Sequence, residues 1–294
     1  VSPLALASSV FGTALGLKLG LVVYLASAFD GAYRLARSYG ASTAASTLGA
    51  VLYGTNGWLA LHLSAGHANF ASAALFPYLA LCYRRATADG VAWTIPLGGI
   101  AAWVVCDGGT STPAIAAVLL LTLAATDVVR LHSARPVAVL MLGALCAVAL
   151  SAFRLLPALE FALDHPRHQL ESDAATMWSV VRDGYWWQGT VPVAGRRYAY
   201  HEYGWRLASI SLPLALWALR VRAARAAWVL ALAGASIALG DAWHYGPWWL
   251  LKHAPLFRDL RVPSRYTILI ALALPVLCAT AFEDRKSTRL NSSH

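Results

Sequence analysis

The sequence predicts an all-α, polytopic membrane protein, and three observations carry the prediction. Of 294 residues, 59% are hydrophobic and 13% charged, where a soluble domain carries about 25% charged residues. Mean hydropathy is +0.56, and apolar runs near the ~20 residues that span a bilayer as a helix recur from end to end. These runs are continuously apolar rather than alternating, which excludes a β-barrel and leaves helices as the spanning elements.

Nine apolar segments follow in order, at about 12–33, 41–64, 69–83, 90–106, 113–129, 136–153, 205–219, 226–240 and 265–282. Several are short for a ~30 Å hydrocarbon core, which calls for little tilt or a locally thinned bilayer. The connections after the first, third, fifth and seventh carry Arg34 and Arg37, Arg84 and Arg85, Arg130 and Arg135, and Arg220, Arg222 and Arg225. These connections alternate, so all four fall on one side, which the positive-inside rule makes cytoplasmic. The extracytoplasmic side receives the turn around His67, the "CDGGTSTP" turn around Asp107, a long loop of about 154–204 and the stretch 241–264. Most of the remaining charge lies there, so any chemistry is expected at that face of a bacterial inner membrane. The long loop contains Trp178, Trp186 and Trp187 and suits a segment lying on the outer interface. Pro157, Pro166 and Pro192 are expected to break it into short pieces.

The formal charge of +9 is met by arginines flanking membrane helices. No basic, aromatic-interleaved stripe stands apart from them, so a nucleic-acid partner is excluded. Cys82, Cys106, Cys146 and Cys278 sit singly in apolar segments, with neither metal spacing nor a disulfide framework. The last stretch, Asp284–His294, resembles a translated sequencing adapter codon by codon and stands outside the fold expectation. The natural chain is expected to continue past Glu283. It is also expected to start ahead of Val1, which is neither a methionine nor part of a signal-peptide n-region. Residues 1–283 are expected to form one transmembrane domain.

Each candidate functional residue has a structural and a chemical reading. Lys18, the only lysine in the first segment, either snorkels to outer headgroups or contacts a phosphate. His67 follows Gly66 in a tight connection, which makes it either an interfacial turn residue or an imidazole presented to a cavity. A metal there would need further ligands, for which His201 and Glu202 are candidates at nonlocal spacing, so no metal site is assigned from sequence. Glu160, Arg167, Glu202 and Arg206 punctuate the ends of the long loop. A Glu–Arg pair would fix the loop on the bundle, whereas a carboxylate of raised pKa would serve sugar binding, metal binding or proton transfer. In "APLFRDLRVPSRYTILI", Arg258, Arg261 and Arg265 are spaced three and four apart and would share one helical face. Pro263 resists that geometry and pushes Val262 toward extended backbone. Guanidiniums bind phosphate bidentately, and these sit on the face opposite the other arginines.

The segments "GHANFASAALFPYLAL", "LLPALEFALDHPRH", "YHEYGWRLASISLPLAL" and "APLFRDLRVPSRYTILIALAL" resemble, in the same order, segments of YfhO-type bacterial membrane proteins. Those are grouped with the GT-C glycosyltransferases. The resemblance implies a GT-C-like bundle that transfers a sugar from a polyprenyl-phosphate donor to a cell-envelope acceptor at the outer face, among membrane lipids. In that superfamily an acidic residue of the first outer loop acts as base or metal ligand, so a divalent metal is an option. That loop would precede Val1, so the main catalytic residue is not assigned. His67, Glu160 and Glu202 would support catalysis, and Arg258, Arg261, Arg265, Arg167 and Lys18 would bind phosphate. "HPR" stands at Arg167 where the family often has serine before the arginine. The rival functions are a transporter or flippase of lipid-linked substrates, which predicts inverted repeats and midplane binding residues, and a noncatalytic envelope-assembly protein.

Overall fold

A computed structural model describes residues 3–107, 109–165, 173–186, 199–254, 257 and 260–291. Among them the fold is helical throughout, with one isolated antiparallel bridge, Ala174 to Gly240. In chain order the helices are α1 (Pro3–Phe11), α2 (Thr13–Ser38), α3 (Thr43–Gly54), α4 (Gly57–Ser64), α5 (Phe76–Ala88), α6 (Thr94–Cys106), α7 (Ser111–Leu131), α8 (Arg135–Asp164), α9 (Met177–Val181), α10 (Ser211–Trp217), α11 (Arg225–Ala238), α12 (Pro247–Lys252) and α13 (Ile268–Asn291). Short 3-10 helices include Ala68–Leu75 ahead of α5 and Pro263–Thr267 ahead of α13.

Among the described residues, four helical stretches are long and apolar enough to cross a membrane: Thr13–Ser38, Ser111–Leu131, Arg135–Phe161 and Pro263–Asp284. The pair Ser211–Arg220 and Arg222–Ala238, bent by 114°, makes a fifth if counted as one span. Of the remaining apolar segments, 90–106 is one shorter helix, Val91–Cys106, and 41–64 and 69–83 are each divided into two helical pieces. The segment 41–64 is interrupted by "GTNG" at residues 54–57, where the Asn56 side chain caps α4 by accepting from the Leu59 amide at 3.0 Å. The segment 69–83 begins as the 3-10 helix. Conversely, α8 runs ten residues past Arg154, with Pro157 inside it. Pro157 does not break the chain as expected, because losing one donor inside a long helix is tolerated where neighbouring turns hold.

The last span is the centre of the bundle, with 89% of its apolar window buried, whereas α2 and α8 are largely exposed at 22% and 28%. The outward face of α8 carries Met141, Leu145, Val148, Phe153 and Leu156. An apolar face this long is an aggregation liability in water and is at home against lipid. In lipid, burying one apolar side chain against another gains little, and close approach of helices decides the packing. Gly98 of α6 provides it: a Cβ there would come within 2.5 Å of the Cβ of Cys146 on α8.

The chain has two poles. At one, Arg37 donates to the Ala41 carbonyl, Arg84 to the Ser38 carbonyl while lying 3.6 Å over the Tyr39 ring, and Arg135 to the Ala86 carbonyl. Val221 and Ala223 line a cleft there with Tyr39, Gly40, Ala41 and Glu283. All four arginine-bearing connections therefore meet at one end. At the other end Gly57 donates to the Arg206 carbonyl, Thr112 to the Asn69 carbonyl, Ala175 to the Leu239 carbonyl, and Arg265 to Ser111. These join the four connections expected on the opposite side.

Candidate functional site

The second pole contains a polar nest. α4 begins at its asparagine cap and carries Trp58 and His62, one turn apart and stacked at 4.1 Å between ring centroids. The His62 Nδ1 donates to the Trp58 carbonyl at 2.9 Å, which fixes the ring. Gly66 adopts φ +82°, and the His67 amide closes the turn on the His62 carbonyl at 2.9 Å. The positive φ that glycine accepts without strain thus brings His67 back beside His62, with ring centroids 6.0 Å apart.

Glu202 and His201 arrive from 140 residues away on the segment 199–207. That segment is clamped by Trp205, whose indole donates to the Val180 carbonyl, and by Tyr203, whose hydroxyl donates to Asp173 at 2.7 Å. Arg265 comes from the 3-10 helix ahead of α13. Val262, at φ −114° and ψ 87°, stays out of the helical region ahead of Pro263. The Arg265 Nε donates to Glu202 Oε2 at 2.8 Å, Nη2 to Oε1 at 2.5 Å and Nη1 to Ser111 Oγ at 2.9 Å. His62 Nε2 stands 3.3 Å from Glu202 Oε2, and His201 Nε2 stands 3.7 Å from Oε1. Phe70 floors the nest, 4.6 Å from His62 by centroid and 4.9 Å below the Arg265 guanidinium.

Electrostatics follow from burial. Desolvation would raise the pKa of Glu202, but the hydrogen bonds from Arg265 first, and the His62 ring beside it second, outweigh it and hold the carboxyl well below its usual range. Burial pulls His67 and His201 below the ordinary histidine value, against the attraction of Glu202. His67 and His201 therefore favour their neutral forms beside an anionic carboxylate. The ligand atoms of His62, His67 and Glu202 lie within 4.8 Å of one another, close enough to hold a metal ion.

Of the residues singled out from sequence, His67, His201, Glu202 and Arg265 come together here. Glu202 does pair with an arginine and fixes the loop on the bundle, with Arg265 as the partner. Lys18 is exposed on α2 beside Leu15 and Leu19, and Glu160 is exposed on α8. Arg261 is exposed just ahead of the Pro263 turn and does not share a helical face with Arg265, because helix α13 starts only at Ile268. Arg167 and Arg258 lie outside the described residues. His62 and Ser111 are the members that sequence reasoning missed. The available signal for His62 was a histidine one turn after a tryptophan and five residues before the Gly-His turn.

No protein-family model, curated protein or solved structure matches this chain. The molecule itself defines the class: an all-helical protein with helices long and apolar enough to span a membrane, and a histidine–carboxylate–arginine nest at one pole.

Proposed function

We propose that the chain is the membrane-embedded body of an envelope glycosyltransferase of GT-C type, which uses a polyprenyl-phosphate sugar at the pole holding His62, His67, His201, Glu202 and Arg265. The observation that supports this reading is the convergence of these five side chains, from three separate stretches of sequence, in a bundle whose core is mainly apolar. Their end of the molecule is the one without the arginine connections. In this reading all nine apolar segments lie in the membrane, the shorter helices end to end or tilted, and the nest faces the extracytoplasmic side of a bacterial inner membrane.

Transfer breaks the bond between the sugar's anomeric carbon and the phosphate oxygen and forms one to an acceptor hydroxyl, whose proton must leave. A neutral imidazole at His67 or His201 suits that proton acceptance. Glu202 orients the histidines, and a guanidinium meets the departing phosphate. Arg265, bonded to Glu202 and Ser111 within the nest, and Arg261, exposed just ahead of the Pro263 turn, are the two guanidiniums proposed for the lipid phosphate.

A lipid transporter predicts helices interrupted amid the bundle, near the bound substrate. The sharp 114° break lies at Val221, between Arg220 and Arg222 and at the arginine pole. That position suits a hairpin connection and gives the transporter reading no support. The test is incubation of membranes containing the protein with labelled polyprenyl-phosphate sugars. Transfer that His67→Ala removes supports the proposal, and donor binding without transfer to any envelope acceptor counts against it. Unchanged donor binding by Arg261→Ala would remove Arg261 from the phosphate role.

A further inference from the structure

We propose that His62, His67 and Glu202 form a binding site for a first-row divalent transition ion, zinc foremost, with His201 beside it. The argument starts from one nitrogen. His62 Nδ1 faces the Trp58 carbonyl at 2.9 Å, and a carbonyl only accepts, so Nδ1 carries the hydrogen. In the neutral ring, Nε2 is then a lone pair, and it points at Glu202 Oε2 from 3.3 Å. Glu202 is anionic, so this contact needs a positive species between the two atoms, either a second proton on the ring or a metal ion. Ligands about 2.0–2.1 Å from a tetrahedral zinc stand about 3.3 Å apart, which is this separation.

Two further features fit an ion rather than a lone proton. His67 Nδ1 is buried without a hydrogen-bond partner, and a ring nitrogen of His67 lies within 4.8 Å of the ligand atoms of the same two groups. Each ligand also has the outer support that metal sites use. The Trp58 carbonyl sets the His62 tautomer, and Arg265 holds Glu202 through both oxygens while leaving a second lone pair on each. Two imidazoles and a carboxylate are the ligand chemistry of zinc and its neighbours, whereas magnesium and calcium take oxygen sets. Three protein ligands leave a fourth position open to water or substrate.

The inference goes beyond the transferase reading and does not rest on it, because ion binding is measured with neither donor nor acceptor present. The full chain, purified in detergent and stripped with chelator, is titrated with Zn²⁺, and with Co²⁺ as a spectroscopic stand-in. One ion per chain and tetrahedral Co²⁺ bands are expected. His62→Ala and His67→Ala should weaken binding by more than the ~10–100-fold that outer partners cost. His253→Ala, at an exposed histidine just past the end of α12, should change nothing. His62 is buried and stacked, so His67 decides: His67→Gln keeps a polar side chain of similar size, and thermal unfolding reports whether the variant is folded. Folded wild-type protein that binds neither ion overturns the site, as does binding by folded His67→Gln equal to wild type.

Discussion

Arg265 and Glu202, 63 residues apart, form a two-pronged ion pair at 2.8 and 2.5 Å, with the carboxylate buried and the guanidinium 23% exposed. Removing one partner leaves the other charge in a poorly hydrated place, which costs about 3–5 kcal/mol for a buried pair. The partial exposure of Arg265 puts Arg265→Ala near the lower end. Arg265→Lys should recover only part, because an ammonium cannot span both oxygens and Ser111 together. Arg265→Met combined with Glu202→Gln should lose well under the sum of the two single losses. Thermal unfolding of the four proteins in one detergent measures this, and strictly additive losses would show that the pair is not coupled.

How much of this was legible in the sequence depends on the range of the signal. The grouping of the arginine-bearing connections at one end of the molecule was legible, because each short loop carries its own arginines and insertion depends on local charge. Helix interruptions were not. A hydropathy window averages over "GTNG" at 54–57, where a four-residue break costs little apolar content. The stretch around Arg265 was legible as a concentration of guanidiniums, but its inward partner was not, since Glu202 sits on another loop. Pro263 starts a 3-10 turn there and separates Arg261, outside, from Arg265, inside. His62 was hidden because a histidine in an apolar helix looks like a tolerated core residue until His67 and Glu202 are seen beside it.

Gly66 holds φ +82° with open space around its α-carbon. An added Cβ would meet nothing, so Gly66→Ala should be destabilising through backbone strain alone, by about 1–2 kcal/mol. Gly66→Asn should cost less, because asparagine enters the left-handed region more readily. If the turn positions His67, Gly66→Ala should also weaken zinc binding more than Gly66→Asn does. Equal melting temperatures for wild type and Gly66→Ala would contradict the strained geometry.

Asp107, just past the end of α6, accepts from the Tyr24 hydroxyl at 2.9 Å, and that hydroxyl accepts from the Trp103 indole at 2.8 Å. Burial raises the Asp107 pKa above the ordinary value, against the opposing pull of Tyr24, Ser72 and Arg154. The folded state then binds the proton more tightly than the unfolded chain, so this group's contribution falls as pH rises from about 4 through the raised value. Asp107→Asn keeps an oxygen for Tyr24 and has no charge to desolvate. The stability gap should therefore shift in favour of the variant as pH rises from 4 to 8, measured by thermal unfolding at each pH. A gap independent of pH would rule out the titration of Asp107 as its source.

The two poles make an orientation test sharp. Asp89 and Ala223 are exposed near the arginine connections, and Ser64 and Ala242 are exposed near the histidine nest. Each can receive a single cysteine in a chain whose native Cys82, Cys106, Cys146 and Cys278 are replaced. Arginines resist transfer across the bilayer, so the pole holding Arg37, Arg84, Arg135 and Arg220 should stay on the synthesis side. A membrane-impermeant maleimide applied to intact spheroplasts should then label Ser64→Cys and Ala242→Cys at once. Asp89→Cys and Ala223→Cys should react only after lysis. The reverse pattern would turn the nest toward the cytoplasm and remove the lipid-linked sugar reading. Labelling that splits two positions of one pole would show that the pole does not lie on a single side of the membrane.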